Sequence, residues 1–171
     1  MLAMALLTLA GCLSVDDFGD AWAQAKRDPV FAGRWQKAQT KGEATVEQLV
    51  FTEQDGAYDV VATTDGQMAE DFTSPYPVRA LTLGSYQFLL SRNRGLGGDM
   101  IRVRLEGKTL QFYTLQSDTA RSLLKAPNPD LNFSAYSIGI RRLDAATIAW
   151  LAAVPDTPVY WRKTVSYRRV P

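Results

Sequence analysis

The sequence predicts a mainly β domain of the α+β kind: an antiparallel sheet of about eight short strands, curled or barrel-like, with two or three short helices. Two patterns and a composition carry this. Ile101, Val103 and Leu105 alternate with Arg102 and Arg104, the period of a strand with one dry and one wet face. Apolar runs follow one another across tight turns, at Gln54-Asp55-Gly56, Gly84-Ser85 and Glu106-Gly107-Lys108. The chain of 171 residues is 46% hydrophobic and 22% charged, a globular balance for one domain.

Taken in order, residues 14–20 are polar and acidic and read as a short tether. Phe18, Trp22 and Ala25 have helical spacing, which Asp28-Pro29 ends. Residues 12–30 are therefore read as a tether with a short helix, and 31–171 as a single β-rich domain. Its first strand opens around Phe31-Ala32-Gly33-Arg34-Trp35. Strands are expected over 44–52, 57–64, 76–83, 86–91, 100–105 and 109–115, with another over 135–141. Helices are expected over 118–125, ending before Pro127, and over 144–153, where Asp144 is the N-cap and Leu143 and Ile148 form a hydrophobic staple. The last strand spans 159–169, with Val159, Trp161, Val165 and Tyr167 on one face.

Residue usage excludes several chemistries. There is no histidine, so Ser-His-Asp and Cys-His catalysis and the usual zinc and copper ligand sets are out of reach. One cysteine permits neither an internal disulfide nor a multi-thiolate metal site. A Gly-x-Ser-x-Gly motif is absent, no carboxylate pair has a spacing that implies convergence, and no cofactor is expected. The net charge of +1 hides an asymmetry. Residues 12–75 carry 12 acids and 5 bases, a charge of −7; residues 76–171 carry 6 acids and 14 bases, a charge of +8. Either the halves neutralise each other across neighbouring strands, or a basic face attracts an anionic partner.

The N-terminal run Met-Leu-Ala-Met-Ala-Leu-Leu-Thr-Leu-Ala is uncharged and too short to span a bilayer, but has the length of a signal-peptide core. It leads into Leu9-Ala10-Gly11-Cys12, which resembles the lipobox of bacterial lipoprotein precursors. The resemblance implies that residues 1–11 are a signal peptide and that Cys12 receives diacylglycerol on its sulfur. Cleavage before Cys12 then frees an amino terminus for acylation, giving a multi-acyl anchor strong enough for stable membrane attachment. Leu13 stands where an aspartate would signal inner-membrane retention, which favours the outer membrane, facing the periplasm.

Gly33-Arg34-Trp35, at the head of the strand series, resembles the Gly-x-Trp signature of lipocalins. That family closes its barrel with a late arginine packed across the tryptophan, and Arg168 or Arg169 is the candidate here. Other candidate contacts are basic: Arg79, Arg102, Arg104, Arg162 and Arg168 as an anion-binding face, and Arg92 and Arg94 within the glycine-rich run 92–99.

The expected function is that of a non-catalytic binding or interaction module on the envelope, lipocalin-like with an apolar pocket. The alternative is an assembly accessory docking through the basic face; the third is a carboxylate-dependent hydrolase. Expected partners are the membrane through the lipid anchor and an envelope protein, anionic lipid, glycan or small apolar ligand, with no nucleic acid for an exported protein.

Overall fold

A computed structural model describes residues 13–39, 44–68, 76–123, 131–133 and 138–171, with the backbone alone at Asn93 and Arg94. The lipobox and Cys12 lie outside the described residues. The strands are β1 (Leu13–Asp17), β2 (Gly33–Lys37), β3 (Glu47–Gln54), β4 (Ala57–Thr64), β5 (Gln67–Met68), β6 (Tyr76–Leu83), β7 (Tyr86–Arg94), β8 (Gly97–Glu106), β9 (Thr109–Leu115), β10 (Leu131–Phe133), β11 (Ile138–Arg142) and β12 (Trp161–Val170). The helices are α1 (Asp20–Gln24), α2 (Ser117–Leu123) and α3 (Ala145–Ala153), and a 3-10 turn covers Pro29–Phe31.

Eight strands close into a barrel in the order β2-β3-β4-β6-β7-β8-β9-β12, with β12 pairing back onto β2. All the neighbours are antiparallel, so this is an up-and-down meander, the arrangement that removes exposed sheet edges by closure. The mainly β, barrel-like reading of the sequence is correct.

One edge of β8 is divided. Its C-terminal half pairs with β9 from Arg102 to Glu106, while its N-terminal half pairs with β1 from Gly98 to Met100. Through β1 the sheet runs out to β11, which lies parallel to β1, and then to β10. Residues 13–17, expected as a tether, are thus an interior strand with Leu13 and Val15 buried. Five residues with two apolar positions give too weak a periodic signal to be told from a polar linker.

Two cores share the β6–β8 wall. Val78, Leu89, Ile101 and Val103 point into the barrel, where they meet Phe31, Trp35, Phe51, Tyr58, Phe112 and Tyr167. The alternate positions Leu81, Leu83, Phe88, Leu90 and Met100 point outward and are covered by Phe18 and Ala21 near α1, Ala120 of α2, and Leu143 and Leu151 around α3. A wall buried on both faces is nearly continuously apolar, as the run Phe88-Leu89-Leu90 shows.

A β-bulge in β12 between Lys163 and Val165 corrects the expected face assignment. The extra residue reverses the side-chain parity, so Trp161 enters the outer core while Val165 and Tyr167 enter the barrel. Sequence periodicity assumes an unbroken ladder, and placed all of them on one face.

Candidate functional site

The barrel's closing seam lies where β2 meets β12. Trp35 is fully buried, and its indole N–H donates to the Phe31 carbonyl at 2.8 Å. The Arg169 guanidinium lies 5.4 Å from the Trp35 ring centre and donates to the Ala32 carbonyl. Gly33 makes this possible: its φ of +106° is one that side-chain-bearing residues rarely adopt, and an added Cβ would sit 3.8 Å from Arg169 Nε. Arg168, the other candidate, is exposed and pairs in register with Gln36.

The second arginine site lies outside the barrel. Arg102 follows Met100 on the outward face of β8 and is only 2% exposed. Its guanidinium sits 4.3 Å from the ring centre of Tyr86, 4.8 Å from Trp161 and 5.0 Å from Tyr113. Asp156, in the loop between α3 and β12, accepts from Arg102 Nη2 at 2.7 Å and from Arg104 Nη2 through its other oxygen. The Tyr86 hydroxyl donates to the Val154 carbonyl, holding the same loop from a second point. Burial pushes the Tyr86 phenol pKa up, against the opposing pull of the Arg102 charge.

The arginines grouped as one basic face are therefore dispersed. Arg102 is sealed behind Asp156, whereas Arg104, held by the same carboxylate, stays 41% exposed. Arg79 and Arg92 lie 4.9 and 5.5 Å from the Trp22 ring, and Arg79 also donates to the Trp22 carbonyl at 3.1 Å. Arg162 and Arg168 are exposed on β12 with no acidic partner among the described residues. The side chain of Arg94 lies outside the described residues.

Two glycines of the 92–99 run, Gly97 and Gly98, serve sheet packing. An added Cβ on Gly97 would fall 2.1 Å from the Val15 carbonyl oxygen, and one on Gly98 would fall 1.8 Å from that of Ser91. Glycine there lets β1 and β7 approach β8 closely, and Phe18 N–H closes on the Leu96 carbonyl at 3.2 Å.

A cleft of about 450 Å³ opens where the chain from α1 to the 3-10 turn meets the β6–β7 hairpin. Its walls include Gln24, Lys26, Arg27, Asp28, Thr82 and Gln87, with Pro29, Ala80 and Leu81 as apolar surface. Asp28 organises this corner: one carboxylate oxygen accepts from the Val30 N–H at 3.2 Å and the other from Gln87 Nε2 at 3.0 Å. The Asp28 carbonyl accepts from the Tyr58 hydroxyl at 2.9 Å, tying the segment to the barrel. Arg27 pairs with Glu53 at 2.6 Å, and Lys26 has no partner for its ammonium among the described residues.

Sequence reasoning missed both the Arg102 enclosure and this cleft. Asp156 stands 54 residues from Arg102, and no short-range pattern connects them. Among the described residues no group of three or more His, Cys, Asp and Glu side chains is placed to hold a metal ion. Searches with family models, curated proteins and solved structures find no match to the chain.

Proposed function

We propose that this protein is a lipid-anchored envelope protein whose barrel domain is a non-catalytic binding module. The observation that carries the reading is Leu9-Ala10-Gly11-Cys12, whose single cysteine immediately precedes the first residue of β1. With Cys12 acylated, the domain has no free tether: the next residue, Leu13, is paired on both sides, to Met100 and Ile138. The membrane anchor and the sheet are then mechanically continuous, which holds the domain in one orientation at the outer-membrane surface.

The binding reading is supported by the barrel, a small scaffold with its interior occupied by aromatic and aliphatic side chains and a polar cleft at its rim. The Trp35–Arg169 contact and the eight-strand meander support a lipocalin-like reading of the scaffold. We take the rim cleft as the ligand site because Phe31, Trp35, Phe51 and Tyr58 pack together inside the barrel.

Fatty-acid labelling with membrane fractionation tests the anchor. The parent chain is expected to incorporate label and sediment with membranes, and Cys12→Ala to lose the label and enter the soluble fraction. Membrane retention of an unlabelled Cys12→Ala chain would remove the anchor from the account.

A further inference from the structure

The rim cleft contains a short length of unpaired sheet edge. β4 pairs with β6 only at Tyr76, Pro77 and Val78, and beyond it Lys26 takes over with a single antiparallel bridge to Ala80. That bridge uses both backbone groups of Ala80, at 2.7 and 2.8 Å. Backbone groups alternate sides along an antiparallel strand, so Thr82 points its N–H and C=O to the same edge as Ala80. The hairpin agrees: Leu83 and Tyr86 flank its two-residue turn as a hydrogen-bonded pair, which leaves Thr82 facing away from β7. Among the described residues no backbone or side-chain group closes on Thr82 from that side. The residue that would continue the bridge opposite Thr82 is Gln24, and there the chain has already coiled into α1. Thr82 itself is exposed and lines the cleft.

We propose that this slot binds the C-terminal residue of an extended peptide, which adds antiparallel to β6 at Thr82. Direction follows from the bridge. A strand antiparallel to β6 in this position runs the same way as the chain from Gln24 to Lys26, so its C-terminus points at Lys26. The Lys26 backbone already occupies the place opposite Ala80, so the peptide must end at Thr82. Its terminal carboxylate accepts the Thr82 N–H beside the Lys26 ammonium, and its last N–H donates to the Thr82 carbonyl. Main-chain pairing at a sheet edge combined with carboxylate capture needs no particular side-chain sequence. Among the described residues the one acidic group lining the cleft, Asp28, has both oxygens engaged by Val30 and Gln87, whereas the Lys26 ammonium has no partner.

This proposal deepens the binding-module reading and does not depend on the anchor. The full chain, purified in detergent, is titrated by fluorescence anisotropy with a fluorescein-labelled hexapeptide of alternating serine and valine. Saturable binding of the free acid is expected, with the C-terminal amide and Lys26→Ala each weakening it about tenfold or more. Thr82→Pro removes the edge N–H without touching a ladder bond and is expected to abolish binding with the circular dichroism spectrum unchanged. Thr82→Ala keeps the backbone and is expected to bind like the parent. Equal binding of acid and amide, parent-like binding by folded Thr82→Pro, or no saturation by about 1 mM peptide would overturn the slot. Since the labelling experiment on Cys12 reads the anchor separately, failure of one leaves the other standing.

Discussion

Arg169 at the seam and Arg102 outside the barrel both lie over aromatic rings, yet they solve opposite electrostatic problems. Arg169 is exposed, keeps its charge in water and lies over the ring of the buried Trp35. Such a contact is worth about 0.5–1 kcal/mol, small beside the ring's own burial. Arg102 is withdrawn from solvent among three rings, and a charge so placed needs a counter-ion. Asp156 supplies it, while Nε and Nη1 of Arg102 remain buried without a hydrogen-bond acceptor among the described residues. At the seam the ring carries the stability and the arginine finishes it. Around Arg102 the arginine is the demanding group, and the loop carboxylate makes it tolerable.

The largest expected effect lies at the seam. Trp35→Ala should cost about 3–5 kcal/mol by urea denaturation, enough to unfold a marginal domain. A value near 1 kcal/mol would mean that the seam is not held by the ring.

Next comes the reversed order at Arg102. Asp156→Ala leaves a buried charge without its partner and should cost about 2–3 kcal/mol, below the range for fully buried pairs because Asp156 is itself 44% exposed. Arg102→Met fills the same enclosure without charge and should cost about 1 kcal/mol or less. If Arg102→Met proves the more damaging of the two, the cation–ring contacts outweigh desolvation and the comparison fails. Arg169→Ala is expected to cost about 0.5–1 kcal/mol and to be non-additive with Trp35→Ala, while Arg168→Ala stays within about 0.5 kcal/mol and adds independently.

The smallest effect at neutral pH concerns Tyr167, whose ring packs 5.5 Å from Phe112 inside the barrel while its buried hydroxyl has no partner among the described residues. Burial raises its pKa far above the ordinary phenol value, with the Glu47 charge adding to the shift; burial raises Tyr58 and Tyr86 as well. A group whose folded pKa is raised contributes stability that is whole below its unfolded pKa and is lost as pH climbs beyond it. Stability is therefore expected to be level up to about pH 10 and to fall above it. Tyr167→Phe should be neutral or slightly stabilising at pH 7 and should make the alkaline fall shallower. An unchanged alkaline limb would assign the loss to other groups.

The legible parts of the molecule were those whose causes are local. The hairpins around Asp55-Gly56, Gly84-Ser85 and Gly107 stand where their turn residues put them, and Asp144 caps α3 through the Thr147 N–H at 2.8 Å. What escaped was set by distant pairing. β1 becomes a strand because β8 and β11 flank it, β10 is only three residues long, and the β12 bulge changes parity without any sequence mark. The candidate sites divide in the same way. Gly33, Trp35 and the paired arginines of the last strand could be named from motif and position. From sequence Arg102 reads as a solvated side chain, because nothing within its own strand reports the loop that covers it.

Cys12, one residue before β1 begins, is the decisive position for the proposed anchor. Intact-mass and N-terminal peptide mass spectrometry of the protein from a bacterial envelope reads its chemistry without a mutation. The expected mature chain begins at Cys12 and carries diacylglycerol together with an amide-linked acyl chain. A chain that retains residues 1–11, or one that begins elsewhere with an unmodified Cys12 thiol, would contradict it.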